Sequence, residues 1–261
     1  MTNRPRWTTV DPNSDGIWTL ELSSWKHFHA FIHQEMLAYR DFVWRGQRDS
    51  GWKLRSSLDR ALQGTPRETR SEQMARHLER FRYASRGRRA ALATPIEEEN
   101  DWWALGQHNG LATPLLDWTE SPFVALYFAF EKEERSSTAF RSVWALADMS
   151  DMNEEIRNAH DGPNPPTLDY VRPFRDDNTR LVNQAALFTR VPFGMTVAEW
   201  VTAQFKGDSE TAGLIHLKIP DKDRFDCLRT LNRMNINHTT LFPDLYGAAE
   251  HCNKALRIGA Y

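Results

Sequence analysis

Apolar residues recur at helical spacing along SSWKHFHAFIHQEMLAY, residues 23–39, where Trp25, Phe28, Phe31, Ile32 and Met36 share one side and Ser23 or Ser24 stands at the cap. Phe42, Val43 and Trp44 then form a short β-prone run, and Arg45-Gly46-Gln47 reads as its transition into a loop. Residues 66–94 predict a charged helix with a thin apolar stripe of Leu78, Phe81 and Tyr83. A second helix over 101–109 is stopped by Asn109-Gly110. Pro114 biases Thr113 away from helix, so Leu115 and Leu116 begin an extended piece.

Ser121-Pro122 opens the next helix with proline at its first position, and Val124, Ala125, Tyr127, Phe128 and Ala129 leave it apolar almost all round, which predicts burial. Val143 to Leu146 is a strand candidate. Residues 151–177, with Pro163, Pro165, Pro166 and Pro173, read as a connection or lid. Leu214 to Ile219 alternates as a half-buried strand stopped by Pro220. A helix over Asp221–Met234 presents Phe225, Leu228 and Leu231, and a short one over Leu245–Ala255 closes the chain. Elements mixed in this order predict one α+β domain over residues 23–261, with a mixed, mainly antiparallel sheet flanked by helices and an N-terminal extension over 1–22.

Composition changes this picture little. With 40% hydrophobic and 26% charged residues in a chain of 261, and no apolar run near the roughly 20 residues that span a bilayer, a soluble, non-membrane protein is expected. The N-terminus lacks the basic-then-apolar order of a secretory signal, and the two cysteines suit a reducing cytoplasm. Because 33 basic residues face 35 acidic ones, overall charge does not recruit nucleic acid. The arginines from Arg67 to Arg89 alternate with Glu68, Glu72 and Glu79, as a solvated helix face does.

Candidate chemistry gathers around a few polar segments. Arg45 can hold a phosphate or a ribose hydroxyl, with Trp44 and Gln47 beside it and Gly46 allowing close approach of a ligand to the backbone. Gln107, His108, Asp117, Trp118, Thr119 and Ser121 crowd the lip of a buried helix, where capping needs only one of them; the surplus points to a pocket with Trp118 as an aromatic wall. Gln184, together with Asn178-Thr179-Arg180, supplies polar side chains in an apolar setting, as backbone clamp or ligand contact. Asp244 either caps the last helix or stabilises positive charge in a substrate. His108 with Asp117 and Ser121 or Ser57 would make a hydrolase, although no nucleophile elbow is present. His108, His238 and His251 lack carboxylates at ligand spacing, so no metal is expected.

Together, Trp44-Arg45-Gly46-Gln47, the run from Gln107 to Thr119, Ser121-Pro122 with Ala125 to Ala129, and Leu241 to Gly247 resemble the FRG domain, a bacterial family named for a Phe/Tyr-Arg-Gly motif. Trp44 stands in place of the aromatic usual there, Pro114 in place of a common basic residue, and Ala186 in place of a glycine. The motif order resembles that of ADP-ribosyltransferase-like folds. That likeness implies NAD as substrate, Arg45 on the dinucleotide, Thr119 or Ser121 behind the nicotinamide ribose, and Asp244 as catalytic acid. It further implies an ADP-ribosyltransferase or NAD glycohydrolase acting as a toxin or phage-defence effector, with a protein or nucleic-acid acceptor and an antitoxin or other regulatory partner. A non-catalytic nucleotide or nucleic-acid binding module and the His108 hydrolase remain open beside it.

Overall fold

A computed structural model describes residues 5–11, 15–39, 41–88, 95–172 and 182–261. Eight strands, β1 (Trp7–Asp11), β2 (Ile17–Leu22), β3 (Val43–Gln47), β4 (Leu116–Thr119), β5 (Phe140–Leu146), β6 (Asp169–Val171), β7 (Ala186–Arg190) and β8 (Leu214–Pro220), form one sheet in the order β1-β2-β8-β5-β3-β4-β7-β6. Only β2 and β8 pair in parallel; the other neighbours are antiparallel. The domain is therefore α+β, with the mixed, mainly antiparallel sheet and flanking helices the pattern predicts.

Helices cover both faces of the sheet, and the alternation along each strand divides the core. On one face Trp44, Val143, Ala145, Ile215 and Leu217 pack with the helix Pro122–Phe130 and with Leu228 and Leu231 of the helix Arg224–Arg233. On the other, Val43, Trp118, Trp144, Leu146 and Leu187 meet Val197, Trp200 and Val201 of the helix Val197–Gln204. A strand covered on both sides keeps little polar alternation. This corrects the half-buried expectation for β8, whose first four residues are all buried.

Four further expectations change. Within the expected N-terminal extension, Trp7–Asp11 and Ile17–Leu22 join the sheet as β1 and β2; the alternation Ile17-Trp18-Thr19-Leu20-Glu21-Leu22 is the strand signal, and Gly16, at φ 75°, makes the turn before it. Residues 151–177 are more than a connection, because they supply the helix Ser150–Ala159 and the edge strand β6, while residues 173–177 lie outside the described residues. Arg45-Gly46-Gln47 continues β3, paired with Trp144, Val143 and Ser142 of β5. Phe225 points outward at 53% exposure, and Cys227 takes the buried position instead. The helices expected over 23–39, 66–94, 101–109 and 245–255 are found at 25–36, Arg67–Ala84, Glu99–His108 and Leu245–Arg257, with residues 89–94 outside the described residues.

Candidate functional site

The β3–β4 junction sets the geometry. These strands pair at one register position, Trp44 with Thr119, and beyond it they part. The Arg45 guanidinium spans the gap, Nη1 donating to the Asp117 carbonyl oxygen at 2.6 Å and reaching its carboxylate at 3.5 Å. Gln107, in the last turn of the helix Glu99–His108, donates from Nε2 to the other carboxylate oxygen at 2.6 Å and accepts from the Thr113 hydroxyl. Asp117 thus orients Arg45, and Gln107 orients Asp117. Arg45 Nε is buried and finds no hydrogen-bond partner among the described residues. Burial lowers the Arg45 pKa and Asp117 opposes that, yet a guanidinium stays protonated across the physiological range.

A cleft of about 1060 Å³ opens here, large enough for a dinucleotide. Among the described residues its lining carries six cations, Arg45, Arg48, Lys53, Arg55, Arg60 and Lys132, against three carboxylates, Asp117, Glu131 and Glu134. The loop after β3 is fixed by Asp49, whose carboxylate accepts from the backbone N–H groups of Gly51 at 2.8 Å and Ser137 at 2.5 Å. Burial opposes ionisation of Asp49, but these bonds and the Ser137 hydroxyl hold its carboxyl at about 2. Arg48 and Trp52 are thereby presented together, guanidinium carbon 4.8 Å from the ring centroid.

Ten residues expected at the site line this cleft: Trp44, Arg45, Gly46, Gln47, Gln107, His108, Asp117, Trp118, Thr119 and Gln184. Several do so from behind. Trp118 is 2% exposed, and its indole N–H donates to Thr189 Oγ1 at 2.8 Å, so it belongs to the core, and Trp52, at 47% exposure, is the accessible aromatic. Gln47 accepts from the Trp144 indole at 3.0 Å. Gln184 donates to the Leu241 carbonyl at 2.9 Å, while its own carbonyl accepts from Thr119 at 2.6 Å; it is a backbone clamp. Gly46 serves packing rather than a ligand, because a Cβ there would lie 1.9 Å from the Ala125 carbonyl oxygen of the helix behind. Asn178-Thr179-Arg180 lies outside the described residues.

Two expected residues stand apart. Ser121 accepts from Val124 N at 3.3 Å as the cap of its helix. Asp244 accepts from Gly247 N at 2.8 Å as the cap of the helix Leu245–Arg257 and is not part of the lining. Ser57, the other serine considered, exchanges hydrogen bonds with the Thr113 backbone. Both serines are thus engaged with backbone groups, and Asp117 bonds Arg45 and Gln107.

Sequence reasoning missed the cations Arg48, Lys53, Arg55 and Arg60 and the acid Glu131. Their signals were present: positive residues interspersed with Trp52 directly after the Arg-Gly pair, and a carboxylate as the first polar residue after PFVALYFAF. The arginine-rich helix Arg67–Ala84 contributes nothing to the lining; its Arg76 pairs with Glu72 at 2.6 Å.

The fold and cleft define an α+β protein with a cation-lined cleft between two parting strands. Residues 40–138 match the family model of the FRG domain. No curated protein and no solved structure gives a match. The matched segment holds Arg45, Gln107, Asp117, Glu131 and all six lining cations, whereas Gln184, Phe242 and Asp244 fall beyond it. No helix among the described residues is long and apolar enough to cross a membrane.

Proposed function

We propose that the cleft binds NAD and that the chain transfers ADP-ribose from it or hydrolyses it. One observation carries the proposal: Arg45, with its side chain 20% exposed, is fixed by Asp117 at the wall of a cation-lined cleft. An oriented guanidinium with an accessible edge suits a pyrophosphate oxygen, where charge-assisted hydrogen bonds are strongest. The surrounding cations fit the remaining phosphate charge. NAD as the particular dinucleotide follows from the family resemblance, as do a role as toxin or phage-defence effector, a cytoplasmic setting and control by a neutralising partner.

Calorimetric titration with ADP-ribose, combined with chromatography of nicotinamide released from NAD, tests the proposal. Arg45→Ala should weaken ADP-ribose binding on the order of tenfold to a hundredfold, the loss expected for about one charge-assisted hydrogen bond. Binding unchanged in that variant, with the fold intact by circular dichroism, removes Arg45 from the site. A non-catalytic nucleotide or single-strand binding module is the second reading, favoured by the exposed Trp52 beside Arg48, Lys53 and Arg55, since aromatic faces among cations hold single strands. Tight ligand binding without nicotinamide release would select it.

A further inference from the structure

We propose that Glu131, rather than Asp244, is the catalytic carboxylate of the cleft, taking a proton from the nucleophile that attacks the nicotinamide ribose. This inference rests on the NAD proposal above.

Of the three lining carboxylates among the described residues, Asp117 is bound to Arg45 and Gln107, and Glu134 meets Arg48 at 2.9 Å. Glu131 is different. Its side chain is 12% exposed, Oε1 lies 3.5 Å from Lys132 Nζ, and Oε2 is buried with no hydrogen-bond partner among the described residues. The closest approach to Oε2 is His238 Nδ1 at 3.9 Å. That nitrogen already lies 2.8 Å from the Tyr127 hydroxyl and 3.4 Å from Lys254 Nζ. Burial and Lys254 keep His238 neutral at physiological pH, so it forms no ion pair with Glu131. A buried carboxylate oxygen without a partner is costly, and Glu131 carries one while lining a cation-rich cleft.

The position of Glu131 is rigid. It ends the helix Pro122–Phe130, and two arginines grip the main chain around it. Arg224 donates to the carbonyls of Phe130 at 2.8 Å, Glu131 at 2.7 Å and Lys132 at 2.9 Å; Arg141, wholly buried, donates to those of Ala129 at 2.8 Å, Lys132 at 3.0 Å and Glu134 at 3.0 Å. A group so held is pre-organised, as proton transfer and charge stabilisation require.

In hydrolysis, the bond from ribose C1′ to the pyridine nitrogen breaks and its electron pair stays with nicotinamide, which leaves neutral. The oxygen of water bonds to C1′, and the proton it loses passes to the Glu131 carboxylate and on to solvent. An acceptor hydroxyl can replace the water with the same balance.

Glu131→Gln in the full chain should bind ADP-ribose within about threefold of the wild type, while nicotinamide release from NAD falls about a hundredfold or more, the scale of a lost general base. If that variant does not fold, Glu131→Asp, which keeps the charge one methylene back, should retain binding and lose release on the order of a hundredfold. Release that persists in Glu131→Gln but disappears in Asp244→Asn overturns the assignment and restores Asp244. Wild-type protein that binds ADP-ribose yet releases no nicotinamide overturns Glu131 as a catalytic group while leaving the binding site in place. Wild-type protein that binds neither NAD nor ADP-ribose overturns the dinucleotide proposal, and this one with it.

Discussion

The two ends of the helix Pro122–Phe130 are satisfied in opposite ways. At its start, everything is local: Ser121 caps Val124 N, Pro122 lacks an N–H that would need a partner, and Thr119 Oγ1 accepts from Ser121 N at 3.1 Å. At its end, the orphan carbonyls go to Arg141 from β5 and Arg224 from another helix, the latter 94 residues from Phe130. The positive guanidinia also suit the negative end of the helix dipole. One end is written in adjacent residues; the other exists only once the sheet has closed. Since Glu131 stands at the second end, the wall of the cleft depends on long-range contacts.

That dependence predicts the largest effect. Arg141 is fully buried, pairs through Nε with Asp221 and serves three carbonyls through its other nitrogens. Arg141→Met leaves Asp221 without its partner and those carbonyls bare, and removing one member of a buried pair costs about 3–5 kcal/mol. Urea denaturation should show a loss of that size with an unchanged slope. A loss below about 1 kcal/mol would mean that water satisfies this end of the helix, and the contrast between the two ends would vanish.

The same contrast decides what could be read from the sequence. The helix, its cap and its proline were legible because capping acts over three residues. The lip was legible for a related reason: Gln107, His108, Asp117, Trp118, Thr119 and Ser121 were too many for capping alone, and five of the six do line the cleft. Pairing partners were not legible. Nothing near Gln47 announces the Trp144 indole, nor near Gln184 the Leu241 carbonyl, because each is supplied by a distant element. Asp244 shows the opposite case. Its neighbours Phe242, Pro243 and Gly247 allowed both a cap and a site role; the carboxylate caps locally, and it is not among the described lining residues. Glu131 passed unnoticed because a glutamate after an apolar helix usually marks only the return to solvent.

Acid should act on the long-range end next. Burial is the larger cause, with Lys254 adding to it, of the drop in His238 from its ordinary 6.5 to about 4. The folded protein therefore holds this imidazole neutral while the unfolded chain takes up a proton below pH 6.5. Stability is complete above that value and is lost as pH falls through 6.5 toward 4. For this residue the loss is on the order of 2–3 kcal/mol by pH 4. His216, held at about 3 by burial and by Lys218, acts in the same direction, so the two must be separated by comparing slopes. Denaturation midpoints measured from pH 7 to 4 should decline less steeply in His238→Gln than in the wild type. Parallel declines would show that His238 is protonated equally in both states and that the Tyr127–His238–Lys254 cluster is open to water.

The local ends carry the smallest expected effect. Ser121 and Asp244 each accept a backbone N–H, at 3.3 Å from Val124 and 2.8 Å from Gly247. Replacing such a cap with alanine costs about 1 kcal/mol. Ser121→Ala and Asp244→Ala should therefore lower the denaturation midpoint by similar small amounts, and the double variant should lose the sum, since independent sites add to within about 0.5 kcal/mol. The pair also discriminates between two roles for Asp244. A cap contributes to stability and not to ligand affinity, so Asp244→Ala should leave ADP-ribose binding where Ser121→Ala leaves it. If Asp244→Ala instead weakens binding while its stability cost stays near that of Ser121→Ala, the carboxylate reaches the ligand, and the last helix belongs to the site as well as to the scaffold.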